Sequence, residues 1–152
     1  MNKSQRQLQE GFASLVARAA RQWRRAVDRR LQPFGLTEAT WLPLIYLARA
    51  PAPMRQKDLA TALALDGSSV VRLLDALEAA HFIERHEEDA DRRAKIILPT
   101  ARGLSVAEQV EAVSREVRKD TLVGLSGDEL AVATRVLQRV CENLTQQQEK
   151  DG

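Results

Sequence analysis

A mainly α-helical fold carrying one small β-wing is predicted by three features of the 152-residue sequence. Within the stretch 54–103, MRQKDLATALALDGSSVVRLLDALEAAHFIERHEEDADRRAKIILPTARG, a helix pattern over 55–63 and a second over 68–80 are joined by the turn Leu65-Asp66-Gly67. Short apolar strands around Ile83 and over 96–98 bracket a charged loop. On either side of this stretch, apolar residues repeat at helical spacing for several turns. Helix, turn, helix and hairpin in this order make a winged helix-turn-helix, whose second helix suits a DNA major groove, flanked here by long dimerisation helices. On this reading 1–35 is an N-terminal dimerisation helix, 36–100 the winged DNA-binding unit and 101–152 a C-terminal pair of dimerisation helices.

The first helix is expected over about 4–32, where Leu8, Phe12, Leu15, Ala19, Trp23, Val27 and Leu31 recur at steps of three and four before Pro33 and Gly35 stop it. Its other faces carry Arg18, Arg21, Arg24, Arg25, Arg29 and Arg30, which either solubilise the helix or attract phosphate or an anionic ligand. Thr37 is placed to cap a second helix over 38–50, with Trp41, Leu44, Ile45 and Ala48 inward and Pro43 costing one backbone hydrogen bond. Pro51 and Pro53 end it. Leu59, Ala60 and Leu63 form the packing side of the third helix.

In the helix over 68–80, Val70, Leu74, Leu77 and His81, widened by Val71 and Leu73, form an inward stripe. Ser68, Ser69, Arg72 and Ala76 fall on another face. Backbone N–H groups at Ser68 and Ser69 can meet phosphate and Arg72 can reach a base edge, although an ordinary solvated face has the same composition. The loop 87–95 brings Arg92 and Arg93 near its tip, where a guanidinium can enter a narrow minor groove, with Asp89 or Asp91 to orient it.

Thr100 is placed to cap a fifth helix running to about Val123, with Val106, Val110, Val113 and Val117 as a coiled-coil-like seam. Ser126-Gly127-Asp128-Glu129 forms a capping box for a sixth, striped by Leu130, Ala133, Leu137, Val140 and Leu144, and the polar tail 146–152 is expected to fray. Three long seams around one small reading unit exceed what a monomer uses, which predicts a two-fold homodimer.

Net charge is only +2, and over 54–100 nine acids outnumber seven bases. Bulk charge therefore gives no support to a nucleic-acid partner; what supports one is the placement of bases on the second helix and the wing. One cysteine and the lack of a long apolar run predict a cytoplasmic chain without membrane association. There is no phosphate-binding glycine loop, and His81, His86 and Cys141 are too scattered for a metal site, so neither a cofactor nor an enzyme is implied. His81 is expected behind the second helix, His86 at the surface, and Cys141 as a small buried hydrophobe with an inert thiol.

The segments GLTEATW, KDLATAL, SSVVRLLDALEAAHFIER and DRRAKIILPTARG resemble the MarR family of bacterial transcription regulators, in particular its SlyA-like branch. The resemblance is detailed over 34–103 and reaches the outer helices only as pattern. It implies a DNA-binding repressor on an inverted-repeat operator, with Ser68, Ser69 and Arg72 at recognition-helix positions, Asp91 and Arg93 as a wing-tip pair, and Arg92 as a further wing contact. It departs from the family at His81, where glycine is usual, at Pro99 in place of leucine, and at Pro43. The resemblance also implies an effector pocket between the dimerisation helices and the winged unit. Trp23, Trp41, Ile45 and Tyr46 would line it, with Arg18 or Arg85 as the cation for a small aromatic or acyl carboxylate or its coenzyme A thioester. The alternative is that both tryptophans are simply core.

Overall fold

The computed structural model describes residues 2–88 and 91–152, at 91–93 the backbone only. Helix α1 (Lys3–Leu31) is capped by the Asn2 side chain and passes into a 3-10 turn, Gln32–Phe34. Gly35 follows at φ 72°, a left-handed conformation that glycine adopts without steric cost. Helix α2 (Glu38–Arg49) is followed by the two-residue strand β1 (Met54–Arg55), α3 (Gln56–Ala62), α4 (Gly67–Ala79), β2 (Ile83–Glu88), β3 (Asp91–Pro99), α5 (Ala101–Thr121) and α6 (Gly127–Asp151). The fold is mainly α with a small β-wing, as the periodicity predicts.

The wing is an antiparallel sheet in the order β1-β3-β2. Two residues of β1 pair with Ile96 and Ile97, a strand too short to show any alternation in sequence. Most of the expected wing loop is strand: the β2·β3 ladder runs from Ile83↔Pro99 to Glu88↔Asp91, with a register shift between Glu87 and Glu88. Pro99, without an N–H, is the last residue of its strand.

The chain forms two compact units, Met1–Val117 and Arg118–Gly152. The first contains two apolar clusters. Leu44, Leu47, Leu59, Val70, Leu74, Leu77, Ile83 and Ile97 form one, where α2, α3, α4 and the sheet meet. Val27, Leu31, Leu36, Trp41, Ile45, Val110 and Val117 form the other, joining α1, α2 and α5. Helix α2 serves both because it is apolar nearly all round. It runs unbroken through buried Pro43, and Leu47 rather than Ala48 faces inward, so the expectation for Ala48 is corrected. The second unit consists largely of α6, whose Ser126/Glu129 capping box is present and which has no buried residue.

Several expectations change. Val110 and Val117 of the α5 seam are buried against the chain's own α1 and α2, because the two helices offer them apolar partners within the chain. Val71, 41% exposed, lies outside the α4 packing stripe. His81 is exposed at φ 61°, not packed behind α4. It stands just past the helix end, where its N–H reaches the Glu78 carbonyl and that of Phe82 the Leu77 carbonyl, a Schellman closure that favours glycine. Ala64, φ 54°, closes α3 in the same way. Cys141 is exposed, on a helix that has no buried residue, so the expectation of a buried thiol is corrected. The polar tail continues α6 to Asp151 instead of fraying.

Candidate nucleic-acid interface

The reading helix starts one residue earlier than its pattern suggests, because Asp66 is its cap. The Asp66 carboxylate accepts from the Ser69 backbone N–H at 2.7 Å and from the Ser68 hydroxyl at 2.9 Å. These donors, the Ser69 backbone N–H first, hold the carboxyl below its ordinary pKa. The cap changes the role expected for the two serines. The Ser69 N–H is already engaged and is not free for phosphate, while the Ser68 hydroxyl donates to Asp66 and keeps oxygen lone pairs to accept from a base. Asp66 was legible as a cap from Asp-Gly-Ser-Ser at a helix start, a signal overlooked when 65–67 is read only as a turn.

Along α4, Val70, Leu74 and Leu77 are 2%, 0% and 3% exposed and anchor the helix, while Ser68, Arg72 and Ala76 are exposed together and Ser69 is half-buried. The spacing i, i+4, i+8 puts the three exposed residues on one side. Asp75, also exposed, is one turn beyond Arg72 on that side.

The far end of α4 is tied to α5. Arg102 donates to the Ala80 carbonyl at 3.1 Å and lies 4.7 Å over the Phe82 ring; the Thr100 hydroxyl donates to the His81 carbonyl at 2.6 Å, and the Thr100 N–H to that of Phe82 at 3.0 Å. Thr100 also caps α5 by accepting from the Gly103 N–H at 3.1 Å. A Cβ on Gly103 would lie 2.1 Å from the Phe82 carbonyl oxygen, so only glycine permits this approach.

In the wing, Arg55 of β1 pairs with Glu88 of β2 at 2.7 Å. The backbone of Asp91, Arg92 and Arg93 belongs to β3, but their side chains lie outside the described residues, as does Asp89. His86 is exposed and meets Glu84 at 3.1 Å, at the wing base as expected. A cleft of about 800 Å³ separates α3 and α4 from the wing, with Arg55, Lys57 and Lys95 among its walls.

The residues expected around an effector divide into two groups. Trp23, Trp41, Ile45 and Tyr46 do come together in the α1–α2–α5 cluster, with Trp41 4% exposed and its indole N–H donating to Asp28 at 3.1 Å. Arg18 is exposed beside a shallow groove on α1 with Gly11, Ser14, Leu15 and Arg21. Arg85 does not join the aromatic residues. It is on β2, engaged by Asp75 at 2.6 Å and Glu78 at 3.0 Å. Two carboxylates on α4 decide where the guanidinium goes.

A model of the MarR family matches residues 34–94. The chain is 38% identical to the transcriptional regulator PA3341, over 89% of this chain and 98% of that one, with a TM-score of 0.83. It is similar to the S. aureus MepR–DNA complex at 25% identity, over 87% of this chain and 97% of that one, with a TM-score of 0.74. It is also similar to MarR at 26% identity, over 93% of both chains, with a TM-score of 0.71. With its winged unit, its exposed α4 face and these relatives, the chain belongs to the MarR family of winged-helix transcriptional regulators.

Proposed function

We propose that the chain is a cytoplasmic homodimeric repressor that reads an inverted-repeat operator through α4 and the wing residues 87–95, and is released by a small anionic ligand. The observation that carries this reading is the exposed Ser68, Arg72 and Ala76 side of α4, held over a core that leaves Val70 and Leu74 no freedom to turn. DNA as the partner is supported by the similarity to MepR, whose structure is a complex with DNA. Arg72 is assigned to base edges or phosphate, Ser68 to a base donor, Ser69 to helix positioning, Arg92 and Arg93 to the minor groove, and Asp91 to orienting Arg93.

Dimerisation is supported by exposed apolar stripes: Leu8, Phe12, Leu15 and Val16 on α1, and Val132, Val136, Leu137 and Leu144 on α6, are all at least 38% exposed. In this assignment 1–35 and 101–152 join two winged units, 36–100. A two-fold dimer sets two copies of α4 about one helical turn apart, ~34 Å. Footprinting on a duplex selected from a random library is expected to show two related half-sites. Protection of one asymmetric site by a monomer would refute the assignment.

The effector is assigned to the α1–α2–α5 cluster as an aromatic or acyl carboxylate or its coenzyme A thioester, with Arg18 on the same helix as Trp23 as the remaining cation. Filling this cluster would change how α1 and α5 bear on the reading unit. A ligand reverses a 99:1 equilibrium only by preferring one state about 10⁴-fold. Salicylate and benzoyl-coenzyme A are suitable probes: quenching of tryptophan fluorescence and loss of operator binding should share one concentration midpoint. Arg18→Ala should blunt both, leaving ligand-free operator affinity intact; two unrelated midpoints would remove the assignment.

A further inference from the structure

Arg85 is the most heavily engaged cation that the described contacts show, and it joins the two parts of the DNA-reading surface. From β2 its terminal nitrogen donates to Asp75 at 2.6 Å and to Glu78 at 3.0 Å, its Nε approaches Glu78 at 3.4 Å, and its own backbone N–H points to the same carboxylate at 3.3 Å. The Arg85 side chain is only 16% exposed, whereas those of Asp75 and Glu78 are 58% and 44% exposed. Two carboxylates on the reading helix therefore remain near the surface while the charge that opposes them comes from beneath.

Asp75 lies three residues beyond Arg72 on the exposed side of α4. A helix entering a groove with both Asp75 and Glu78 uncompensated would set two negative charges toward a polyanion, and like charges brought together across an interface oppose binding. We propose that Arg85 is a positioning residue for DNA recognition: without touching DNA, it draws Asp75 and Glu78 back, reduces their two charges to one, and fixes strand β2 to helix α4. Lys95 on β3 adds a weaker attraction on Glu78. The guanidinium fork suits this task because it meets two carboxylates at once, which an ammonium does with less directional control. The inference rests on the reading of α4 as the groove element.

The test measures affinity of the full chain for a duplex selected by the unmodified protein, and for an unrelated duplex of equal length, as salt rises from ~50 to ~200 mM. Arg85→Met is expected to weaken operator binding about tenfold, through repulsion from the released carboxylates. Arg85→Lys should recover part of the loss. The triple variant Arg85→Met, Asp75→Asn, Glu78→Gln should return to within about threefold of the original, since the repulsive charges are gone. With Arg85 intact, Asp75→Asn with Glu78→Gln should bind both duplexes more tightly, most clearly at low salt. A triple variant as weak as Arg85→Met would show that Arg85 only supports the fold, and unchanged binding by Arg85→Met would overturn the inference directly. If Arg85→Met loses its helical signal, the Asp75→Asn, Glu78→Gln pair decides: no tightening refutes the electrostatic role. Arg72→Ala separates the two levels, because wild-type binding by that variant would remove the α4 reading itself, whereas a loss there beside an unaffected Arg85→Met removes only this inference.

Discussion

The winged unit and the outer helices are built from the same pattern, apolar residues at steps of three and four, and they use it in opposite ways. Around α4 the stripe is closed within the chain: Leu74 is 0% exposed and packs with Leu44, Leu59 and Ile97 from three other elements. On α6 an equally regular stripe leaves Leu137 and Leu144 at 42% and 53% exposed, and no residue of the helix is buried. The first half of α1 resembles α6, with Leu8 73% and Leu15 55% exposed, while its last turns hold Val27 and Leu31 in the core. Periodicity therefore measures only that a helix has one apolar side. Whether that side is satisfied inside the chain or by another copy depends on what the fold places opposite it.

The sharpest way to break this contrast is Leu137→Glu. In a two-fold seam the change enters both faces, and burying an unpaired carboxylate costs on the order of several kcal/mol per subunit. Sedimentation should then report monomer with the helical content retained; an unchanged dimer would show that the α6 stripe is not the seam. Leu74→Ala should do the reverse, lowering unfolding free energy by about 2–5 kcal/mol through the cavity it leaves, with no change in subunit stoichiometry under native conditions. Gly103→Ala tests the joint between α4 and α5. Its Cβ must displace the Phe82 carbonyl or α5 itself, and a loss of about 1–3 kcal/mol in denaturant unfolding is expected. The smallest effect is His81→Gly, which relieves a left-handed side-chain residue at the α4 terminus and should raise stability by about 0.5–1 kcal/mol after the added chain entropy of glycine. A destabilised His81→Gly protein would mean that the imidazole makes a contribution larger than its backbone cost.

The order of the helices, the capping box at Ser126, the stop at Pro33-Phe34-Gly35 and the α4 anchor Val70, Leu74 and Leu77 were all determined by the sequence alone, because each depends on neighbours within about two helical turns. The candidate reading face, Ser68, Arg72 and Ala76, was legible for the same reason. Strand β1 was not, since its two residues become a strand only by pairing with Ile96 and Ile97 some forty positions away. Nor was the direction of the α5 valines, which had apolar partners both in α1 and α2 and, in principle, in a second copy. Arg85 shows the limit most clearly. In sequence it was a candidate cation for a ligand; only when β2 is laid against α4 do Asp75 and Glu78 converge on it, because charge pairing between separate elements is a property of their three-dimensional separation and of the solvent excluded between them.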